Sequence, residues 1–402
     1  MNKNKKARAL LVSCVLLIIV SIVLTGCSME GFPILTGIGG YIGELPDGLY
    51  VDGVKTEIIE PERESLAFKT LSDEEQRIYK SAYTALRNMK NEFAIYGVDY
   101  DYYFTIYSNA LFVFIRDYPE FFWLDGYVEA NAEYTEGSKI GNVMFTLGIY
   151  DYWADNDIAA AAAELDAEVE KIANAAKEYP SDFERVKYVH DTIISSVEYD
   201  TASYNLGDKT TPEAHAKTNT AYGALLNGTS LCGGYASAFM MVMQELGIDC
   251  EFVTGEANGG PHAWNLVEVD GDYYHIDLTW DDLDDKEHEI IYNYFCLNDE
   301  QILKNHVSYI ELGEMTATKC NYHVYMDLYL EDYSFDTVNK MAERYDGSGM
   351  ITFKCSSAEV LDKMVDELID ESRIFEITAF STVSSYQYLV DEEMLILTFL
   401  FD

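Results

Sequence analysis

An α+β fold is predicted for this chain, and three observations predict it. A helical stretch opens on Cys232: Tyr235, Phe239, Met240, Met243 and Leu246 form an apolar stripe at three-to-four spacing, and Gly247 stands where a C-terminal cap belongs. A hairpin follows, in which Leu266–Val269 and Asp272–His275 flank Asp270-Gly271, a strong two-residue turn signal. On both sides of this centre, segments of helical period are interspersed with strand-like runs rich in aromatic and β-branched residues.

In chain order, residues 1–26 are set apart from the fold. Lys3, Lys5, Lys6 and Arg8 precede an apolar run, Ala9 to Val23, that is too short for a comfortable membrane span. Leu24-Thr25-Gly26-Cys27 resembles a bacterial lipobox, cut before Cys27, which then carries the lipid; an uncleaved anchor is the alternative. Several acyl chains hold a protein stably to a bilayer, so an exported, extracytoplasmic protein anchored to the bacterial cell membrane is expected, with residues 27–44 as its tether.

Residues 45–179 read as an α+β region of their own. Ser72-Asp73-Glu74-Glu75 signals the start of a helix running from Leu71 to Phe93, and Asn109 to Tyr118 is a second helix stopped by Pro119. Glu120 to Ala130 and Gly141 to Tyr150 read as strands, and the aromatic run Tyr118–Leu124 as core. Asp155 to Tyr179 is a long alanine-rich helix.

Residues 180–320 form the central domain. Ser181 with Glu184 is a capping box opening a helix to about Val197, on which His190 is structural or on the surface. Tyr199 to Pro212 reads as loop, Thr220 to Leu226 as a short helix, Ile290 to Leu297 as a strand, and Asn298 to about His306 as a short helix. Residues 321–402 form a small α+β module: Tyr322–Leu330 alternates, Phe335–Arg344 is helical, Met350–Cys355 is a strand and Ser356–Ser372 an amphipathic helix. Strands then fall near Phe375–Phe380 and Glu393–Phe401.

Charge excludes one class of partner. With 27 basic and 70 acidic side chains the formal net charge is −43, unsuited to nucleic acid, whose phosphates call for Lys and Arg. Beyond Cys14 and Cys27, the five cysteines Cys232, Cys250, Cys296, Cys320 and Cys355 are odd in number and lack CxxC spacing, so they suggest neither a disulfide framework nor a zinc site. Cys250, Cys296 and Cys355 lie in apolar runs, as buried thiols do.

Cys232 differs: it follows the turn-rich Asn227-Gly228-Thr229-Ser230 and falls in a first helical turn, where the helix dipole favours the nucleophilic thiolate. Gly233 and Gly234 leave the backbone open to a substrate, and first-turn amides are free to face an oxyanion. With the Asp270-Gly271 turn, Val269 pairs with Asp272, Trp264 with Asp277 and His262 with Thr279. His262 and Asp277 are then diagonal neighbours on one face, about 7–8 Å apart between backbones. A slip of one residue would separate them. Nucleophile, base and orienter can thus be Cys232, His262 and Asp277. His275 shares the face of Asp277 and competes as base, but a Gly-Gly-Pro loop brings His262 to the end of its strand. Asp281, Asp282, Asp284 and Asp285 lack the spacing of an EF-hand and read as a solvated acidic turn; no metal and no cofactor is expected.

Cys-x-Gly-Tyr-Ala (Cys232 to Ala236), Gly-Ile-x-Cys (Gly247 to Cys250), Val-x-Gly (Val253 to Gly255), His-Ala-Trp-Asn (His262 to Asn265) and His-x-Asp-x-Thr-Trp-Asp (His275 to Asp281) together resemble the transglutaminase-like core. That papain-like superfamily of cysteine acyltransferases and peptidases is matched over about Ser181 to Cys320, most closely in its bacterial branch. The resemblance implies a nucleophile at a helix N-terminus packed on an antiparallel sheet, with Cys232 as nucleophile, His262 as general base and acid, and Asp277 as orienter. It also implies Tyr222 as a side-chain donor to the oxyanion beside the amides of Cys232 and Gly233; a packed tyrosine is the other reading. Gly234, Tyr235, Trp264 and Trp280 are candidate pocket residues, the two tryptophans as lids. Gly233 stands where bacterial relatives often carry Glu or Gln, which bears on substrate preference. The expected function is attack on amide bonds of a protein or peptide through a thioester, with hydrolysis favoured over amine transfer. A non-catalytic surface module that keeps the fold is the alternative.

Overall fold

The computed structural model describes residues 46–207, 210–283, 290–345, 347 and 349–401. The proposed signal and tether, with Cys27, and the acidic residues Asp284 and Asp285 lie outside the described residues. Among those described, no helix is long and apolar enough to cross a membrane. The chain divides into two compact units. Of the described residues, one unit holds 46–63 with Leu71–Ile115 and Leu124–Ile149; the other holds Glu64–Thr70, Arg116–Trp123 and those from Tyr150 on.

The first unit is an antiparallel sheet with helices. Strands β1 (Gly48–Val51), β2 (Val54–Thr56), β3 (Glu92–Asp99), β4 (Leu124–Tyr134) and β5 (Ile140–Ile149) take the order β2-β1-β3-β5-β4. A single turn, α1 (Leu66–Lys69), belongs to the second unit; α2 (Asp73–Arg87) and α3 (Tyr100–Asp117) follow. Ser72 and Glu75 form a reciprocal capping box on α2, and three acidic residues in its first turn suit the helix dipole. The helix ends at Arg87, short of the expected Phe93, because Met89 takes a left-handed φ of 56° and the chain from Glu92 turns into β3. Tyr79 and Phe114 meet edge to face in the core.

The second unit contains α4 (Asp151–Ala154), α5 (Ile158–Ala176), α6 (Asp182–Ser196), β6 (Glu198–Tyr199), α7 (Thr201–Leu206), α8 (Pro212–Lys217) and β7 (Thr229–Ser230). Then come α9 (Cys232–Leu246), β8 (Cys250–Ala257), β9 (Gly260–Val269), β10 (Asp272–Ile276), α10 (Leu278–Asp281), α11 (Asp299–Ile302) and β11 (His306–Ser308). The sheet is antiparallel in the order β10-β9-β8-β11. Helix α9 is buried from Gly233 to Met243, packed on β9 and β8 with α5 and α6 against it, as an all-round apolar helix requires. Gly247 closes it at φ 72°. Asp270 and Gly271 both take positive φ, the requirement of a tight hairpin turn.

The last part of this unit is a sheet of order β12-β13-β15-β14, from β12 (Tyr329–Leu330), β13 (Met350–Cys355), β14 (Tyr386–Asp391) and β15 (Ile396–Phe401). Its helices are α12 (Tyr322–Tyr325), α13 (Phe335–Met341) and α14 (Ala358–Val365). Three expectations are corrected here and just before it. Residues 290–297 are not a strand: Cys296 sits at φ 55° and only Leu297 bridges, to His275. Residues 322–330 begin with a helical turn, which sets Tyr322 on Tyr292 at 3.9 Å and Tyr325 on Phe183 at 3.6 Å. Residues 375–380 form 3₁₀ turns, because Ile374, Ile377 and Phe380, three apart, are all buried. The mixed helix-and-sheet class holds.

Candidate active site

Three elements bring Cys232, His262 and Asp277 together. Cys232 is the first residue of α9 and half-buried. Leu231 gives that helix no side-chain cap, and among the described residues the N–H groups of Cys232 and Gly233 have no backbone acceptor. Donors of this kind at a helix start are what an oxyanion needs. His262 is carried by β9, which Asn265 pins in place: its Nδ2 donates to Ala236 O of α9 at 3.1 Å and to Glu251 O of β8 at 3.2 Å.

The hairpin register is the expected one as far as Ile276 opposite Asn265. There β10 ends. Asp277 leaves the ladder to cap α10, its Oδ1 accepting from Thr279 N and Trp280 N at 3.0 and 3.3 Å, so Thr279 does not pair with His262. Asp277 Oδ2 nonetheless lies 2.6 Å from His262 Nε2. Burial works against a charge on His262, but the Asp277 carboxylate, and then its hydrogen bond with Cys232, push it up to about 10. Burial likewise opposes a charge on Asp277, yet His262 and then His306 hold it well below the usual carboxylate range. With Nε2 given to Asp277, Nδ1 is the ring nitrogen left for the thiol.

Other expected site residues are placed differently. Trp264 is not a lid: it is buried, and its Nε1 donates to His275 Nδ1 at 3.0 Å. His275 Nε2 lies 2.9 Å from Asp299 Oδ1, so both its nitrogens are occupied away from Cys232. Gly234 does not open the backbone to a substrate; a Cβ there would lie 1.8 Å from Ser230 Oγ and 2.8 Å from Thr220 O. At Gly233 a Cβ would come 3.0 Å from Asn219 Oδ1. Tyr235 is buried and donates to Asp282 Oδ2 at 2.6 Å. Tyr222 stacks on Phe122 at 5.0 Å and meets Trp153 edge-on. Trp280 is half-buried, its ring 5.8 Å from that of His262. Asp281 is not solvated: it is fully buried against His190, which is itself buried.

One residue was missed. His306, buried on β11, places Nε2 3.0 Å from Asp277 Oδ2. His262, Asp277 and His306 each present a ligand atom within 4.8 Å of the others, the set among the described residues that could hold a cation; its two hydrogen bonds use those same atoms. No sequence signal marks His306, since it arrives from 29 residues beyond Asp277 on the strand paired with β8.

Residues 169–278, which include all three central residues, match the model of the transglutaminase-like superfamily. The kyphoscoliosis peptidases of Mus musculus and Homo sapiens are each 28% identical over 123 residues, a match taking in 28% of this chain and 18% of theirs. The chain thus spans under a fifth of the length of these curated relatives. A crystal structure of a TGase aligns at a TM-score of 0.29 and 17% identity, over 38% of this chain and 44% of that one. Over residues 169–278, from within α5 to the start of α10, this chain is similar to the transglutaminase-like core.

Proposed function

We propose that this protein is an exported, membrane-tethered cysteine enzyme acting on amide bonds of a protein or peptide. The observation that carries the reading is His262, bonded to Asp277 at 2.6 Å and raised in part by Cys232, which stands at the uncapped start of α9. The Cys232 thiolate adds to the amide carbonyl carbon, and the electron pair moves to oxygen, which the free N–H groups of Cys232 and Gly233 receive. Tyr222 remains a side-chain candidate for the same oxygen. His262 gives its proton to the amine as the C–N bond breaks, leaving a thioester on Cys232. Water, deprotonated by His262, then releases the acid; an amine in its place would form a new amide. Hydrolysis is the favoured outcome. The tether is Cys27, lipidated at the membrane face.

Iodoacetamide labelling of Cys232 against pH, on the chain from residue 28, tests the pair. Labelling that stays fast well below the free-thiol value of about 8.5, and slows in His262→Ala, supports it. Labelling that rises only near that value, unchanged in the variant, overturns it. Incubation with a glutamine-containing protein and a labelled amine decides between outcomes: efficient amine incorporation would replace hydrolysis by transfer.

A further inference from the structure

Asp277 Oδ2 is met by two imidazoles, His262 Nε2 at 2.6 Å and His306 Nε2 at 3.0 Å. A carboxylate can only accept, so both nitrogens carry hydrogen. The other nitrogen of His306, Nδ1, lies 2.6 Å from Asn305 Oδ1. Which end of that amide faces His306 is decided on its far side. There the amide nitrogen reaches Glu393 Oε2 at 3.1 Å and the Tyr294 hydroxyl at 2.9 Å. Glu393 accepts only, so the NH₂ group belongs beside it and the carbonyl oxygen belongs beside His306. That oxygen also accepts only, so Nδ1 of His306 must carry hydrogen too. An imidazole with hydrogen on both nitrogens is a cation.

We propose that His306 is held as an imidazolium and is a positioning residue for the Cys232–His262 pair, acting through Asp277 and fixed by Asn305 and Glu393. The inference rests on the cysteine reaction proposed above. Around the His306 ring, the titratable groups among the described residues are few. They are Asp277 at the head of α10, His262 on β9 at 5.4 Å between rings, and Tyr294 at 5.6 Å; Trp264 and Trp280 complete the enclosure. Burial, and the acidic groups near it, keep the Tyr294 phenol un-ionised. Asp277 is therefore the one anion bonded directly to His306, and it is shared with His262.

Two consequences follow from that sharing. Asp277 cannot rotate away from His262, because Oδ1 is held by two backbone N–H groups and Oδ2 by the second imidazole. Part of its charge is also balanced, so His262 holds its proton less tightly than it would against an unshared carboxylate, which suits an acid that must give the proton up. The arrangement depends on the C-terminal module. Glu393 lies in the turn between β14 and β15, Lys304 Nζ donates to its backbone oxygen at 2.7 Å, and Met394 and Ile396 are buried against Tyr294, Leu297 and Ile302. This module, which carries no catalytic motif of its own, thus orients the amide that fixes His306.

Two measurements on the chain from residue 28 test this. In the ¹⁵N spectrum of histidine-labelled protein, the resonances lost in His306→Gln identify His306; both its nitrogens should report hydrogen at pH 7. One bare nitrogen there overturns the inference. Glutamine keeps a neutral donor toward Asp277 and removes the charge, so a purely structural role predicts an unchanged profile of Cys232 labelling by iodoacetamide. The charged role predicts half-maximal labelling displaced upward by about one pH unit, the order of effect expected when a nearby unit charge is removed from partly buried surroundings. Glu393→Gln should displace it the same way by less, and a profile superimposable on wild type in His306→Gln overturns the proposal. The wild-type spectrum decides the charge on His306 even where the variants fold poorly. The two readings also fail separately. A wild-type Cys232 unreactive at low pH removes the cysteine mechanism, whereas a neutral His306 beside a reactive Cys232 removes only this inference.

Discussion

Two buried histidine–aspartate pairs stand at the two ends of α10. At its start, His262 meets Asp277 at 2.6 Å; at its end, His190 from α6 meets Asp281 at 3.2 Å. Both aspartates are fully buried, yet their carboxyls are driven in opposite directions. Asp277 accepts from two backbone N–H groups and two imidazoles, which hold it ionised. Asp281 accepts from Tyr294 N and His190, and burial prevails, raising it to about 6. The histidines differ as well. His190 spends its second nitrogen on Asp191 at 3.0 Å, whereas His262 keeps its second nitrogen for Cys232. A buried His–Asp pair becomes chemically useful through the partner of its second ring nitrogen; the first pair faces a thiol, and the second ties α6 to the chain below the site.

Exchanging the histidines should separate these roles most widely. His262→Ala is expected to lower turnover of an amide substrate by about 10⁴-fold or more, and also to lower the urea midpoint at neutral pH, because Asp277 loses the charged ring that it raises. His190→Phe should touch stability alone. It leaves Asp281 buried without its charged partner, a loss of about 3 kcal/mol in urea unfolding, while the folded fraction keeps Cys232 labelling close to wild type. If His190→Phe abolishes low-pH labelling in folded protein, the division drawn here is wrong. Asp277→Asn comes next, at about 10³- to 10⁴-fold in turnover, since the amide cannot favour the imidazolium or both imidazole donors at once. A loss under tenfold would show that Asp277 does not orient His262.

The sequence made the first pair legible and hid the second for a physical reason. His262 and Asp277 are joined by one hairpin, and a two-residue turn fixes its register, so local chemistry sufficed even though the strand ends one residue before Asp277. Cys232 was legible because a helix start announces itself through its apolar stripe and its terminal Gly247. His190 reaches Asp281 across 91 residues and His306 reaches Asp277 by way of β11, and nothing local encodes either approach. Asp281 therefore looked like one of several solvated acids. Trp264 looked like a lid because a lone strand does not reveal that β9 lies between β8 and β10 with α9 packed on it. The same limit applies to 290–297, whose aromatic run suggested a strand. Its hydrogen bonds go to Asp277 and Asp281 at the site, where Tyr294 O accepts from Asp277 N and Tyr294 N donates to Asp281 Oδ1.

The pH dependence of stability gives the smallest effect and the sharpest contrast. Asp277 is lowered, so its contribution is present above its unfolded value near 3.9 and is lost as pH falls below it. His262 is raised to about 10, so its contribution is present below its unfolded value near 6.5 and fades as pH rises through 10. Asp281 runs the other way from Asp277. Raised to about 6, it binds more proton in the folded state than in the unfolded one between about pH 4 and 6. Stability therefore falls as pH rises through that window and past its ends, by on the order of 3 kcal/mol in all. His190, raised by Asp191 and Asp281 against its burial, adds a slope of the same sign above about 6.5. Urea unfolding from pH 3 to 8 should thus show Asp281→Asn flattening the decline between pH 4 and 6, and Asp277→Asn flattening the acid loss below 4. Should Asp281→Asn leave that decline untouched, the second pair is not the reservoir of bound proton, and the contrast between the two ends of α10 rests on geometry alone.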